Sequence, residues 1–382
     1  MIFFLFLKKN VYSLYACFTC FGRPDGKVYL AKSLLRIFMA KLVTLVSTVF
    51  NEEARLTQTI QELKNQTLQP SEIIITDAGS TDGTYEMLLA WQATSSIPVK
   101  ILQKNRCNVA EGRNMAIKAA TYPLIASTDF GCRFHPQWLE SIISPFTDPS
   151  VKAVGGAFAV MEEEILTLPA KAAYILFDGY KDDIHEDWFT PTSRSVAYYK
   201  EVFDAIGGYP EWLTLAADDT VFGRLAKKIG YRFHMVDKRY VYWGRHTTAL
   251  AYAKEAFRYG LGDGEARINL RSTVSKSLEL LFRITFVAAL PVIVFLMVVN
   301  AFTPYALFLL LPLSLGFRPY WRNFTVWKRL RSKKYNLSVF AYSFYLMELT
   351  RFYYLKGYSK GYLKSPAFRK EAAFQLQKRF QA

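Results

Sequence analysis

Cysteine and histidine are scarce, with four of each in 382 residues. Four cysteines in a chain this long do not build a disulfide framework. Cys17 and Cys20 form one Cys-x-x-Cys, while Cys107, Cys132, His135, His185, His234 and His246 stand alone. Structural zinc takes four ligands, usually as two close pairs, and no second pair exists. Unpartnered thiols fit a reducing, cytoplasmic setting. Nucleotide signatures of the commonest kinds are missing as well. There is no Gly-x-x-x-x-Gly-Lys-Ser/Thr loop, no Gly-x-Gly-x-x-Gly after a strand and no Gly-x-Ser-x-Gly elbow. Gly260-Leu261-Gly262-Asp263-Gly264 has the wrong spacing and context. ATPase and dinucleotide oxidoreductase readings lose their main support.

Charged residues are few (21%) against 51% hydrophobic and 16% aromatic, which excludes a disordered chain. At roughly 150 residues per domain the length predicts two or three units. The net charge of +16 is unevenly spread: +5 over residues 1–38, +13 over 318–382 and −2 over the remaining body. A nucleic-acid-binding body carries its basic residues on the folded face, so no nucleic acid partner is expected. Basic ends on a nearly neutral body fit an anionic membrane surface.

Residues 1–38 show no clean period; their six-residue apolar run before Lys8 is too short for a span, and its charges follow rather than precede it, unlike a signal peptide. At Met39 the chain takes on the character of a folded domain. Met39 is therefore expected to be the native start, which N-terminal sequencing of the native protein checks; finding Met1 contradicts it.

From Leu42 the periodicity alternates. Leu42–Phe50, Glu72–Thr76, Val99–Gln103 and Leu124–Thr128 read as strands; Glu53–Lys64, Thr84–Ala93 and Val109–Ala120 read as helices. Such alternation predicts an α/β unit with a parallel sheet covered by helices. Sheets of this kind bind ligands beyond the carboxyl ends of their strands, here the loops at Asn51, Asp77 and Asp129.

Residues 284–317 form 34 residues without one Lys, Arg, Asp or Glu. One span needs about 20 apolar residues, so this stretch, with Asn300 and Pro304 near its middle, predicts two short spans in a hairpin. A buried hairpin in a soluble domain is the alternative. Seven Lys and Arg residues between Arg318 and Lys334 mark that side as cytoplasmic, and a hairpin returns the chain to the side it left. Val339–Leu355 is apolar and aromatic but holds Glu348 and Arg351, and is expected to be interfacial or re-entrant. The domain expectation is thus an N-terminal extension over 1–38, an α/β domain over 39–270, and a helical membrane-associated region over 271–382.

Carboxylates at loop positions carry the chemistry. Asp77 ends a strand and opens Asp77-Ala78-Gly79-Ser80-Thr81-Asp82-Gly83, where a carboxylate can accept from a base or sugar and backbone N–H groups can approach phosphate. An Asx-turn or helix cap is the alternative, and Ser80 and Asp82 read as such. Asp129 ends a strand in Thr128-Asp129-Phe130-Gly131. A hard divalent cation takes oxygen ligands and tolerates one protein carboxylate where diphosphate oxygens supply the others. Asp218 and Asp219 stand together before a helix; like charges so close compete, which suits one of them to accept a proton. Helix capping would account for one of the pair.

Order and spacing carry a resemblance. Thr48-Val49-Phe50-Asn51-Glu52-Glu53 is followed by Ile73–Thr84, by Gly112-Arg113-Asn114, by Thr128-Asp129 and His135-Pro136-Gln137-Trp138-Leu139, by Gly207-Gly208-Tyr209, and by Asp218-Asp219. Over about residues 40–265 this pattern resembles family 2 glycosyltransferases of the GT-A fold. The resemblance implies a Rossmann-like, mixed, mostly parallel sheet between helices. It implies a nucleotide-sugar site at Thr48, Phe50, Glu52, Asp77, Arg113, Asp129 and Asp218, with Asp77 on the base and Arg113 by the base or diphosphate. Asp129 matches the first position of the family's Asp-x-Asp metal motif and would hold Mn²⁺ or Mg²⁺. Asp219 matches the catalytic base, and Trp243, Arg245 and His246 fall where acceptor- or diphosphate-facing residues occur. An aromatic–cation surface cluster is the alternative for those three.

Two departures stand out: the second Asp of the metal motif is Gly131, and the second Asp of the Asp-Asp-Gly-Ser turn is Ala78. Another group such as His246 would complete coordination, or the donor would hold the metal, or activity would be lost. The Gln-x-x-Arg-Trp motif of processive synthases is missing. The implied reaction is an inverting transfer from a nucleoside-diphosphate sugar to a hydroxyl of a lipid-linked or glycan acceptor, at the cytoplasmic face of the cell membrane. The rivals are a non-catalytic membrane subunit of the same fold and a sugar nucleotidyltransferase; Leu42–Asn51 lacks the basic Gly-rich signature of the latter.

Overall fold

The computed structural model describes residues 42–178, 190–299, 314–364, 368 and 370. The N-terminal extension, the Cys17–Cys20 pair, Met39, His185 and the hairpin turn at Asn300 and Pro304 lie outside them.

Strand β1 (Val43–Val49) leads through α1 (Glu53–Lys64) to β2 (Glu72–Asp77), through α2 (Thr84–Thr94) to β3 (Val99–Gln103), and through α3 (Val109–Lys118) to β4 (Leu124–Ser127). These bounds lie within two residues of those expected from periodicity. The four strands are parallel in the order β3-β2-β1-β4. In β1, β2 and β4 the buried run is continuous because both faces are covered, while the edge strand β3 is only partly buried. Ile73 and Ile75 pack with Leu56, Leu88 and Trp138 on one face, while Ile74 packs with Ile117, Phe203 and Phe222 on the other.

The chain continues through β5 (Cys132–Phe134), α4 (Trp138–Ile143), β6 (Ala153–Val160), α5 (Leu168–Ala173), β7 (Val196–Tyr199), α6 (Lys200–Ile206), α7 (Asp218–Lys228) and β8 (Phe233–Trp243). The sheet extends from β4 as β7-β6-β8-β5, with β7 antiparallel to both neighbours and β8 parallel to β6. The result is a mixed, mostly parallel sheet between helices, a GT-A-like α/β architecture.

Among the described residues four more α-helices follow: α8 (Ala249–Glu265), α9 (Leu270–Val298), α10 (Arg318–Leu330) and α11 (Leu337–Tyr362). The glycines of 260–264 find their reason here. A Cβ on Gly260 or Gly264 would lie 2.1 or 2.3 Å from the Tyr354 or Tyr358 carbonyl oxygen of α11, and Gly357 and Gly361 face α8 in the same way. Removing side chains from the crossing lets the two helix backbones touch. Gly262 turns elsewhere: its Cβ would meet the Ala216 carbonyl oxygen at 2.4 Å, so α8 also braces the loop before α7.

Helix α9 is the one described helix long and apolar enough to cross a membrane, over Leu270–Leu296, and 6% of its most apolar window is buried. It begins well before the charge-free run because its charges pair with α11 on one side. Arg283 Nη2 lies 2.9 Å from Glu348, and Arg351 Nη1 lies 2.8 Å from Glu279. Glu348 and Arg351 thus belong to one unbroken helix laid along α8, with their charges met by α9.

Candidate active site

The carboxyl ends of β1, β2 and β4 meet at one edge of the sheet, and interlocked loops shape it. Asn51, in a left-handed conformation (φ 55°), accepts from Thr81 N at 2.8 Å, and its own N–H donates to Ser80 Oγ at 3.0 Å. Asp82 accepts from the Thr84 N–H at 3.0 Å, an Asx turn leading into α2, whose N-cap is Gly83. The β1 and β2 loops are therefore one rigid wall.

Asp77 is fully buried and occupied by its own turn. Its carboxylate accepts from Gly79 N (2.9 Å), Ser80 N (3.1 Å), Ser80 Oγ (2.6 Å) and Gln103 Nε2 (3.2 Å). This is an Asx-type turn, so what Asp77 presents outward is the shape of that turn. Thr48 is half-buried and packs β1 on α3, where a Cβ at Gly112 would come within 2.6 Å of its methyl. Phe50 leaves the sheet with its ring 55% exposed.

Arg113 is the electrostatic centre. A capping box fixes the start of its helix, with Asn108 Oδ1 accepting from Glu111 N and Glu111 Oε2 accepting from Asn108 N, each at 2.8 Å. Asn114 then exchanges hydrogen bonds with the Tyr209 backbone at 2.9 and 2.8 Å. Gly207 and Gly208, both left-handed, bring that backbone in, and a Cβ on Gly208 would sit 3.0 Å from Asn114 Oδ1. So held, the Arg113 guanidinium is 1% exposed and bridges two carboxylates: Asp218 Oδ2 at 2.5 Å and Asp129 Oδ1 at 3.0 Å. The Tyr209 ring lies beneath it at 4.8 Å.

Asp218 and Asp219 open α7, where the free N–H groups of the first turn favour negative charge. Ala217 before them is left-handed (φ 73°), a strained non-glycine conformation that aims the pair inward. Asp219 accepts from Thr220 N at 2.7 Å and from Ser193 N at 3.4 Å. Burial, reinforced by the charge of Asp218 and opposed by Arg113 and Arg194, pushes its carboxyl up to about 6. A carboxylate so placed takes up a proton far more readily than an exposed one.

Gly131 is left-handed (φ 96°), and a Cβ there would lie 3.0 Å from Glu52 Oε2. The Glu52 carboxylate therefore stands where a side chain at 131 would begin. Burial raises its pKa, with the charges of Asp82 and Asp129 adding to it and Arg55 opposing. Asp129 has 38% of its side chain exposed and only one oxygen on Arg113. Among the described residues no three His, Cys, Asp or Glu side chains are grouped so as to hold a metal ion by themselves. Asp129 and Glu52 offer hard oxygen donors that fit a divalent cation only where oxygens of a bound ligand complete the shell.

Asp219 borders a cavity of about 760 Å³, which Trp243 and Arg245 also line. Arg245 pairs with Asp178. His246 is set apart: its Nε2 lies 3.6 Å from Glu255 and its ring abuts Tyr252. Arg194 escapes a reading of the sequence because it stands in no motif. It lies 3.5 Å over the Trp243 ring, and its carbonyl accepts from Thr128 Oγ1 at 2.8 Å, beside Asp129. Its one signal is its place just before β7, the strand that pairs with β4.

A family model for glycosyl transferase family 2 matches residues 44–207. Validoxylamine A glucosyltransferase of Streptomyces hygroscopicus subsp. limoneus is 29% identical over 111 residues, 28% of this chain and 24% of that one. The O-antigen chain rhamnosyltransferase WbaN of Salmonella anatum is 28% identical over 200 residues, 50% of this chain and 62% of that one. This chain therefore covers less than two thirds of either relative. A solved mannosyltransferase from Pyrobaculum calidifontis, in complex with GDP-Man and Mn²⁺, is 15% identical with a TM-score of 0.45, covering 92% of this chain and 96% of that one.

Proposed function

We propose, from the match of residues 44–207 to the glycosyl transferase family 2 model, that the chain moves a sugar, with inversion, from a nucleoside-diphosphate sugar to an acceptor hydroxyl. Asp219 carries the reading, because a carboxyl pushed up to about 6 and bordering a large cavity is suited to take the acceptor's proton. The acceptor oxygen attacks the anomeric carbon as the bond to the diphosphate breaks, and the proton passes to Asp219. The base stacks on Phe50 against the turn held by Asp77. Arg113 keeps Asp218 and Asp129 in place, and Arg194 lends positive charge beside Asp129, where the leaving diphosphate gathers negative charge. Asp129 and Glu52 would hold a divalent cation, which supplies further charge neutralisation to the diphosphate when bound.

The protein acts at the cytoplasmic face of the cell membrane on a lipid-linked or glycan acceptor, with α/β residues 39–270 as the catalytic domain and 271–382 as the membrane-associated region. The exposed apolar surface of α9 and the basic residues after it support this placement. Detergent-solubilised protein offered a panel of nucleotide sugars tests the function. Nucleoside diphosphate is expected from one donor with Mn²⁺ or Mg²⁺ and to fall sharply in EDTA. Silence from every donor, with lipid extract present as acceptor, contradicts the proposal in favour of a non-catalytic subunit.

A further inference from the structure

From Asp219 the cavity runs to the first two turns of α9, where Lys276 and Tyr354 line it. Its two ends differ in chemistry. Four buried polar atoms of residues that line it have no hydrogen-bond partner among the described residues: Thr192 Oγ1, Asp178 Oδ2, Arg245 Nε and the Tyr252 hydroxyl. Buried polar groups are normally satisfied, and Tyr252 is 2% exposed. One acceptor, one donor and two hydroxyls among the lining residues match a polyhydroxylated ring.

The far end carries charge. Arg351 is paired with Glu279 and Arg283 with Glu348, but Lys276 forms no salt bridge among the described residues. Its ammonium rests 4.1 Å over the Tyr354 ring, and Asp263 Oδ2 is engaged by Tyr354 and Asn269. Just beyond, α9 exposes Leu278, Leu281 and Ile284, each about half accessible. A cation thus stands between a hydroxyl-matching wall and a bare apolar helix.

We infer that this cavity is the acceptor site and that its ligand is a sugar carried on a phosphate ester of an apolar chain. The sugar hydroxyls meet Asp178, Arg245 and Tyr252, the phosphate sits on Lys276, and the apolar chain lies along α9. The assignment rests on the transferase reading and names the acceptor class for it.

The test is binding to the full chain in nanodiscs, with geranylgeranyl phosphate, geranylgeraniol and inorganic phosphate as probes. Geranylgeranyl phosphate is expected to bind best. Lys276→Met should weaken it about tenfold or more, as loss of one charge-assisted hydrogen bond does, while Lys276→Arg retains most of it. Thermal unfolding of both variants separates a lost contact from a lost fold. Equal binding of geranylgeraniol, equal competition by inorganic phosphate, or unchanged affinity in a folded Lys276→Met protein each overturns the inference. Donor cleavage by the wild type, measured alongside, keeps the two proposals apart. Nucleoside-diphosphate release without prenyl-phosphate binding sinks this inference alone, and binding without release from any donor sinks the transferase reading.

Discussion

Turnover of Asp219→Asn is expected to fall by about 10²–10⁴-fold, the range that general-base help contributes. Asn keeps the shape of the side chain and loses the proton acceptor. In the wild type the base works ionised, so kcat/KM should rise with pH through about 6 and level off above it. The direction follows from burial and Asp218, both of which favour the protonated form. In Asp219→Asn that acid limb should disappear from the residual activity. A limb that persists unchanged in the variant assigns the titration to another group.

Arg113→Met carries the largest expected loss of stability. The guanidinium is 1% exposed and joins Asp218 to Asp129, so its removal leaves carboxylates facing each other across a buried gap. Breaking a buried ion pair by removing one partner costs about 3–5 kcal/mol. Asp129, 38% exposed, recovers some hydration, which places the expected loss toward the lower figure. The pH dependence gives the sign. Arg113 holds the Asp219 pKa down, so without it that carboxyl sits still further above its unfolded value. The folded state then binds the extra proton, and the variant loses stability as pH rises through the folded pKa and regains it as pH falls toward the unfolded value. Thermal unfolding at pH 5 and pH 8 should therefore show a smaller deficit at pH 5. Equal deficits would assign the loss to packing alone.

The first half of the sheet was legible because β-branched runs and helical spacing alternate there, and β1, β2 and β4 are buried on both faces. The antiparallel entry of β7 beside β4 was not, since four residues, Val196–Tyr199, carry too little pattern. At the site, the carboxylates Asp129, Asp218 and Asp219 were visible as types at loop positions. That Arg113 joins the first two depends on a helix face far away in sequence. The same holds for Glu52, whose nearness to Gly131 appears only in three dimensions. The glycines of 260–264 have the wrong spacing for a nucleotide loop, and their reason, a backbone-to-backbone helix crossing, is visible only in the structure. His246, a candidate to complete a metal shell, stands against Glu255 instead.

The most direct measurement is donor occupancy and turnover in the same sample, for wild type and Asp219→Asn, with the donor identified from the panel. The account predicts nearly unchanged occupancy and a rate per bound complex lower by about 10²–10⁴-fold. Lost occupancy with an unchanged rate per complex would contradict it, and would make Asp219 a donor-binding group.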